Sequence, residues 1–209
     1  MNLQNYYWVF PGALSNYTCD HIIRYGKEQT KQLAVTGDLG RNRNLTNDPL
    51  TKKEYRSLKK QRDSTVAWTS DPWIYQHIYP YLNMANQNAG WNFQWDWSEA
   101  IQFTYYTKKQ YYGWHCDSWE SPYGTDSKFP GKIRKLSLIA SLSSPTKYKG
   151  GELEFDFKNR HKTKPKICEA VRDRGSIVVF PSFVWHRITP VTRGERYSLV
   201  CWHLGAPFI

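Results

Sequence analysis

The chain has 209 residues, a formal net charge of +11 and four cysteines, and is 40% hydrophobic, 16% aromatic and 22% charged. That length suits one domain, and 10 Trp, 15 Tyr and 9 Phe supply enough large apolar surface to exclude a disordered chain. No run reaches the ~20 apolar residues of a bilayer span, the start from Met1 to Tyr7 lacks secretory-signal character, and Cys19, Cys116, Cys168 and Cys201 show no CxxC spacing. A cytoplasmic protein with structural thiols and no membrane partner is expected.

Taken in chain order, Tyr6 to Phe10 reads as a short aromatic strand broken by Pro11-Gly12, and Ser15 can cap a helix over about 16–28 with Cys19, Ile22, Ile23 and Gly26 near one face. Residues 37–64 hold Gly, Asn, Asp and Pro with little apolar periodicity, which predicts a long mobile loop. After a short strand at 65–68, Asp71-Pro72 opens a second helix in which Trp73, Ile74, Ile78, Leu82 and Ala85 recur at helical spacing, so it should pack on a sheet. From Glu99 onward, eight strands are expected at 99–106, 111–117, 134–142, 152–157, 166–171, 175–180, 184–189 and 195–203. Eight short strands with no helix between them predict a mainly β fold with flanking helices, a jelly roll or related double-sheet barrel. The expected layout is a single domain, with 1–97 as a supporting region and 98–205 as the β core.

The positive charge is concentrated. Lys52, Lys53, Arg56, Lys59, Lys60 and Arg62 form one basic run, and Lys158, Arg160, His161, Lys162, Lys164 and Lys166 form another. Solvated loops are the plain reading, and an anionic partner is the alternative.

Within Tyr112-Gly113-Trp114-His115-Cys116-Asp117, strand alternation would point His115 and Asp117 to one face. His186 lies 69 residues beyond Asp117. Two histidines and a carboxylate form the facial triad of non-haem iron(II) oxygenases, which leaves cis positions open; a buried histidine satisfied by an aspartate is the plain alternative. Ten residues after His186, Arg196 shares a strand face with Ser198, Val200 and Trp202. A buried guanidinium there needs either an acidic protein group or a bound dicarboxylate.

Together these elements resemble an iron(II)/2-oxoglutarate-dependent dioxygenase of the prolyl 4-hydroxylase branch, including PKHD-like hydroxylases. The resemblance is carried by His115-Cys116-Asp117, the strand from Arg134 to Leu142, Gly150-Gly151-Glu152-Leu153, the segment ending at His186, and Gly194 to Leu199 with Trp202. It implies a double-stranded β-helix core of the cupin-like kind, Fe(II) held by His115, Asp117 and His186, and 2-oxoglutarate held by Arg196, Ser198 and Tyr106. Many animal-type relatives have lysine where this chain has Arg196, so a planar bidentate clamp is expected here. Tyr112, Trp202 and Arg134 match substrate-contacting positions, and Trp119 joins them by strand parity with Asp117. O2 would be the second co-substrate and ascorbate an accessory reductant.

The implied reaction couples oxidative decarboxylation of 2-oxoglutarate, giving succinate and CO2, to hydroxylation of a prolyl residue in a peptide or protein. The loops 37–64 and 118–133 would fold over an extended, proline-containing substrate, and their basic flanks suggest an acidic one. Hydroxylation of another side chain, oxidation of a nucleic-acid base, and a non-catalytic basic binding module remain as alternatives.

Overall fold

The computed structural model describes residues 3–34, 50–118, 121–157 and 165–208. After strand β1 (Trp8–Phe10), the Ser15 hydroxyl accepts the Thr18 N–H and caps α1 (Asn16–Glu28), which buries Cys19, Ile22 and Gly26. Gly26 is needed for contact, since a Cβ there would overlap the ring of Phe103. Beyond β2 (Gln32–Leu33), a capping box between Thr51 and Glu54 opens α2 (Lys52–Gln61), inside the stretch expected to be loop. This helix buries only Leu58 and so shows no apolar period in the sequence. The remainder of that stretch, 37–49, lies outside the described residues. The third described helix, α3 (Pro72–Asn88), begins after Asp71 and buries Ile74, Ile78, Leu82 and Ala85, as their spacing predicts. No helix among the described residues is long and apolar enough to cross a membrane.

The remaining strands are β3 (Arg62–Asp63), β4 (Thr65–Thr69), β5 (Trp97–Ser98), β6 (Ile101–Tyr106), β7 (Tyr111–His115), β8 (Ile133–Ser141), β9 (Tyr148–Gly150), β10 (Leu153–Asp156), β11 (Lys166–Ile167), β12 (Ile177–Pro181), β13 (Trp185–Ile188), β14 (Val191–Gly194) and β15 (Arg196–Gly205). The larger sheet runs β1-β12-β8-β15-β6-β4-β2, with β5 also on β15; the smaller runs β11-β10-β13-β7-β3, and β9 pairs with β14 as a ribbon. From β8 onward, apart from the β9–β14 ribbon, the chain passes from the larger sheet to β10 and β11 of the smaller, back to β12, across to β13 and back again to β15, the crossing pattern of a jelly roll.

Strands β8 and β15 are buried on both faces, and their period of two sorts the side chains. Leu136, Leu138, Ala140, Leu199 and Cys201 join α1 and α3 in one apolar cluster. On the other face, Ile139 meets Tyr106, Phe155, Phe180 and Ile188 between the sheets. By the same parity that inner face also carries Ser137, Ser141, Arg196 and Ser198, all buried. Buried polar groups cost free energy unless paired, so they mark where a site is built.

Two expectations need correction. The strand expected at 166–171 ends at Ile167, and Glu169–Val171 is a single 3-10 turn closed by the Arg172 N–H on the Glu169 carbonyl at 2.9 Å. Val171 is buried there, and an inward apolar residue on a turn is indistinguishable by pattern from one on a strand. The β9–β14 ribbon was not anticipated, because its short strands are largely polar.

His203, on the helix-facing side of β15, is fully buried against Tyr79 and Trp95, with Nδ1 2.8 Å from the Ser98 hydroxyl and Nε2 without a partner among the described residues. Burial pushes its pKa from 6.5 down to about 3. Between those values the unfolded chain holds a proton that the folded chain does not, so stability rises with pH across that window and is unaffected above it. From pH 6.5 to 5 this one group should remove about 2 kcal/mol. Urea unfolding at the two pH values should show that His203→Leu loses correspondingly less than the parent; equal losses would refute the assignment.

Candidate metal centre

The antiparallel register of β7 and β13 sets His115 directly opposite His186. The Nδ1 of His115 lies 2.8 Å from the Gly113 carbonyl and that of His186 lies 3.0 Å from the Val184 carbonyl. Each Nδ1–H therefore donates to main chain, and each Nε2 lone pair is turned the other way, as in ligating histidines.

Asp117 lies two residues beyond the end of β7, so strand alternation is not what aims it. Its own N–H and that of Ser118 donate to the Ser182 carbonyl at 2.8 and 3.0 Å, and the Ser137 hydroxyl donates to Oδ2 at 2.7 Å. Oδ1 then sits 3.6 Å from His115 Nε2, and Oδ2 sits 3.6 Å from His186 Nε2. All three ligand atoms lie within 4.8 Å of one another, on residues that are each more than nine-tenths buried.

Burial and the neighbouring His186 hold His115 well below its ordinary pKa, in the neutral form that binds metals. Burial alone would raise the Asp117 carboxyl, but His186, His115, Arg134 and Ser137 together hold it below the usual carboxylate range. Two imidazoles and one carboxylate, with no thiolate, suit a ferrous ion on one face.

Arg196 opposes Tyr106 in the β15–β6 register, with its guanidinium carbon 5.5 Å from that ring. It is 2% exposed and donates from Nη1 to the Ser198 hydroxyl at 3.1 Å; among the described residues no carboxylate pairs with it. Gly151, at φ +66°, makes room: a Cβ there would press on Arg196 Cδ at 2.9 Å. Ser137, which touches Asp117, pairs with Trp202 in the β8–β15 register, whereas Ser198 pairs with Ser141, four residues along. The triad and the Ser198 end of the inner face are thus separated by roughly 13 Å of strand, part of which the Arg196 side chain spans.

Tyr112 stacks on His115 with ring centroids 3.5 Å apart and planes 12° from parallel. Burial pushes its phenol up, so it stays protonated. Trp202 carries the Arg134 guanidinium 3.9 Å over its ring, and its centroid is 6.0 Å from that of Trp68. Arg134, expected at a substrate-contacting position, is partly buried and pairs with Glu99: Nε and Nη2 meet the two carboxylate oxygens, each at 2.6 Å, and Tyr123 donates to the same group at 3.0 Å. Trp119 lies outside the described residues, as does most of the second basic run.

Four residues near the triad carried no expectation of a role: Glu99, Ser137, Ser182 and Arg62. Ser137 had a legible signal, a hydroxyl set between Leu136 and Leu138 in the middle of a buried strand. Arg62 was hidden in the first basic run, yet it is 3% exposed, with its guanidinium carbon 4.3 Å over Tyr112, Nε donating to Ser64 at 2.8 Å and Nη2 without a partner among the described residues. Lys52, Lys53, Arg56 and Lys60 of that run are exposed, as the plain reading predicts.

With this fold and this cluster, the chain belongs to the 2OG-Fe(II) oxygenase superfamily, whose sequence pattern matches residues 101–204 and takes in the whole triad and Arg196. The family's description names 2-oxoglutarate and iron(II), and the donor set fits the ion.

Among curated proteins it is similar to a PKHD-type hydroxylase of Hyphomonas neptunium, 38% identical over 92 residues that make up 44% of this chain and 36% of that one. A PKHD-type hydroxylase of Alteromonas mediterranea is 32% identical over 102 residues, 48% of this chain and 41% of that one. The chain thus spans well under half the length of these relatives. Among solved structures, a viral collagen prolyl hydroxylase from Paramecium Bursaria Chlorella virus-1 superposes with a TM-score of 0.63 at 19% identity, covering 97% of this chain and 98% of that one. A Pseudomonas putida prolyl-4-hydroxylase gives 0.57 at 19% identity, over 96% and 92%. At such identities the likeness is one of fold.

Proposed function

We propose that the chain is an Fe(II)- and 2-oxoglutarate-dependent dioxygenase that hydroxylates a prolyl residue in a peptide or protein, releasing succinate and CO2. The observation that carries this reading is Arg196, a buried cation with a serine hydroxyl and no carboxylate beside it among the described residues. Leaving it unpaired costs several kcal/mol, so an anion is called for at one end of the inner face and a metal at the other. A keto diacid answers both needs, with its keto-acid end toward the ion and its far carboxylate on Arg196 and Ser198. When bound, the ion would supply oxygen activation and C–H hydroxylation. His115, Asp117 and His186 would hold it, and the inter-sheet aromatics would keep water out. The intact donor set supports an enzyme over a binding module that merely retains the fold.

A peptide substrate is supported by two buried donors that lack acceptors among the described residues, Arg62 Nη2 and Trp202 Nε1. They flank the triad, one over the ring that stacks on His115 and the other in register with the serine that holds Asp117. Main-chain carbonyl oxygens of an extended peptide would satisfy both. Trp68, 39% exposed beside Trp202, offers an aromatic face to a prolyl ring, the target that the names of the structural neighbours share. Lys52, Lys53, Arg56 and Lys60 on α2 pair with no carboxylate among the described residues, which favours an acidic flank on the substrate.

The test is to incubate the iron-loaded protein and 2-oxoglutarate with proline-containing peptides, acidic or neutral in their flanks, and with oligonucleotides. One added oxygen atom on a prolyl residue, matched by succinate, is the expected product. Oxygen found on a base, or on a side chain other than proline, would overturn the substrate assignment.

A further inference from the structure

The grip on Asp117 is more elaborate than ligation alone requires. Ser137 has one hydroxyl hydrogen, and it is directed to Asp117 Oδ2 at 2.7 Å. The Ser182 hydroxyl lies 2.9 Å from the Ser137 oxygen, so with that hydrogen already committed it is Ser182 that donates. Both serines are fully buried. Ser182 also accepts the Asp117 and Ser118 N–H groups on its carbonyl and donates its own N–H to the Lys135 carbonyl at 2.9 Å. One residue, on the turn that leads into His186, thus fixes the main chain of Asp117 and polarises the hydroxyl that fixes its side chain.

We propose that Ser137 and Ser182 are positioning residues that keep Asp117 a one-oxygen ligand. A carboxylate beside a divalent ion can bind through one oxygen or both. Here Oδ2 receives a hydrogen bond from a hydroxyl that is itself polarised by a second one, and Oδ1 receives none from a serine. Each oxygen lies 3.6 Å from a histidine Nε2, so the hydrogen bond is what distinguishes them: Oδ2 has a lone pair committed to Ser137, and Oδ1 is left the freer donor. The consequence is room, because each coordination position that Asp117 leaves empty is one that a chelating keto acid or O2 can take. Removing the Ser137 hydroxyl would leave Oδ2 buried without its donor, and its nearest available compensation would be the ion. The inference rests on the metal-site reading given above under the proposed function.

The experiment uses the full chain loaded with Co(II), whose visible absorption reports coordination number. Ser137→Ala is expected to bind Co(II) as tightly as the parent or more so, to show a changed visible spectrum, and to bind 2-oxoglutarate roughly 10- to 100-fold more weakly by calorimetry. Ser182→Ala should shift both readouts the same way by less, and Ser137→Thr should restore them. An unchanged spectrum with unchanged 2-oxoglutarate affinity in Ser137→Ala would overturn the proposal. Outright loss of Co(II) binding would overturn it too, because Ser137 would then hold the site together instead of setting its ligation. If the parent itself fails to bind 2-oxoglutarate, the proposed function falls, whereas the spectra still decide how Asp117 ligates.

Discussion

Asp117→Ala and His186→Ala should each leave a folded protein that forms no succinate from 2-oxoglutarate, with turnover down by more than about 100-fold. A partner of a metal-bound histidine is already worth roughly 10- to 100-fold in affinity or activity, and a direct ligand should be worth more. The fold should survive because Asp117 lies beyond the end of β7 and belongs to neither apolar cluster. Its removal leaves the Ser137 hydroxyl without its acceptor, a cost of about 1–3 kcal/mol. Far-ultraviolet circular dichroism should therefore match the parent while a coupled succinate assay reads nothing. Near-parental turnover in either variant would sink the metal assignment.

Arg196→Met should separate stability from function in a way that few substitutions do. The methionine fills similar space without a buried charge that has no carboxylate partner among the described residues, so the ligand-free variant should be as stable as the parent or more so, by about 1 kcal/mol. The parent with 2-oxoglutarate at a hundred times its Kd should gain about 2.7 kcal/mol, and the variant at the same concentration should gain less than about 1 kcal/mol. Loss of a charge-assisted bidentate contact predicts roughly 30- to 1,000-fold weaker binding of the keto acid, or about 2–4 kcal/mol. Urea unfolding with and without 2-oxoglutarate would show both effects. A variant that is destabilised alone yet still stabilised by 2-oxoglutarate would mean that Arg196 serves the fold.

The sequence was most informative where chemistry and period coincide. Strand parity puts Arg196 and Ser198 on the inner face of β15, and that is where they lie. His115 and His186 are brought together by the pairing of β7 with β13, which no local pattern could reveal because 70 residues separate them. For Asp117 the expected outcome came with the wrong cause: the carboxylate faces the imidazoles because Ser182 and Ser137 hold it, not because a strand continues to it. Glu99 and Arg62 escaped notice because an isolated charge in a sequence does not disclose whether it will be buried. One turns out to anchor Arg134 and the other to cover Tyr112. Helix α2 escaped because a helix fastened by one leucine has no stripe to read.

The histidines ride on the smaller sheet and the guanidinium on the larger, so besides the four residues of strand between them their offset depends on the apolar layer of Phe155, Phe180, Ile139 and Ile188. Facing sheets stand ~10 Å apart, and close packing makes that spacing stiff. The barrel would therefore work as a gauge block, with strand register and hydrocarbon packing together fixing the length of diacid that reaches from the three ligands to the guanidinium.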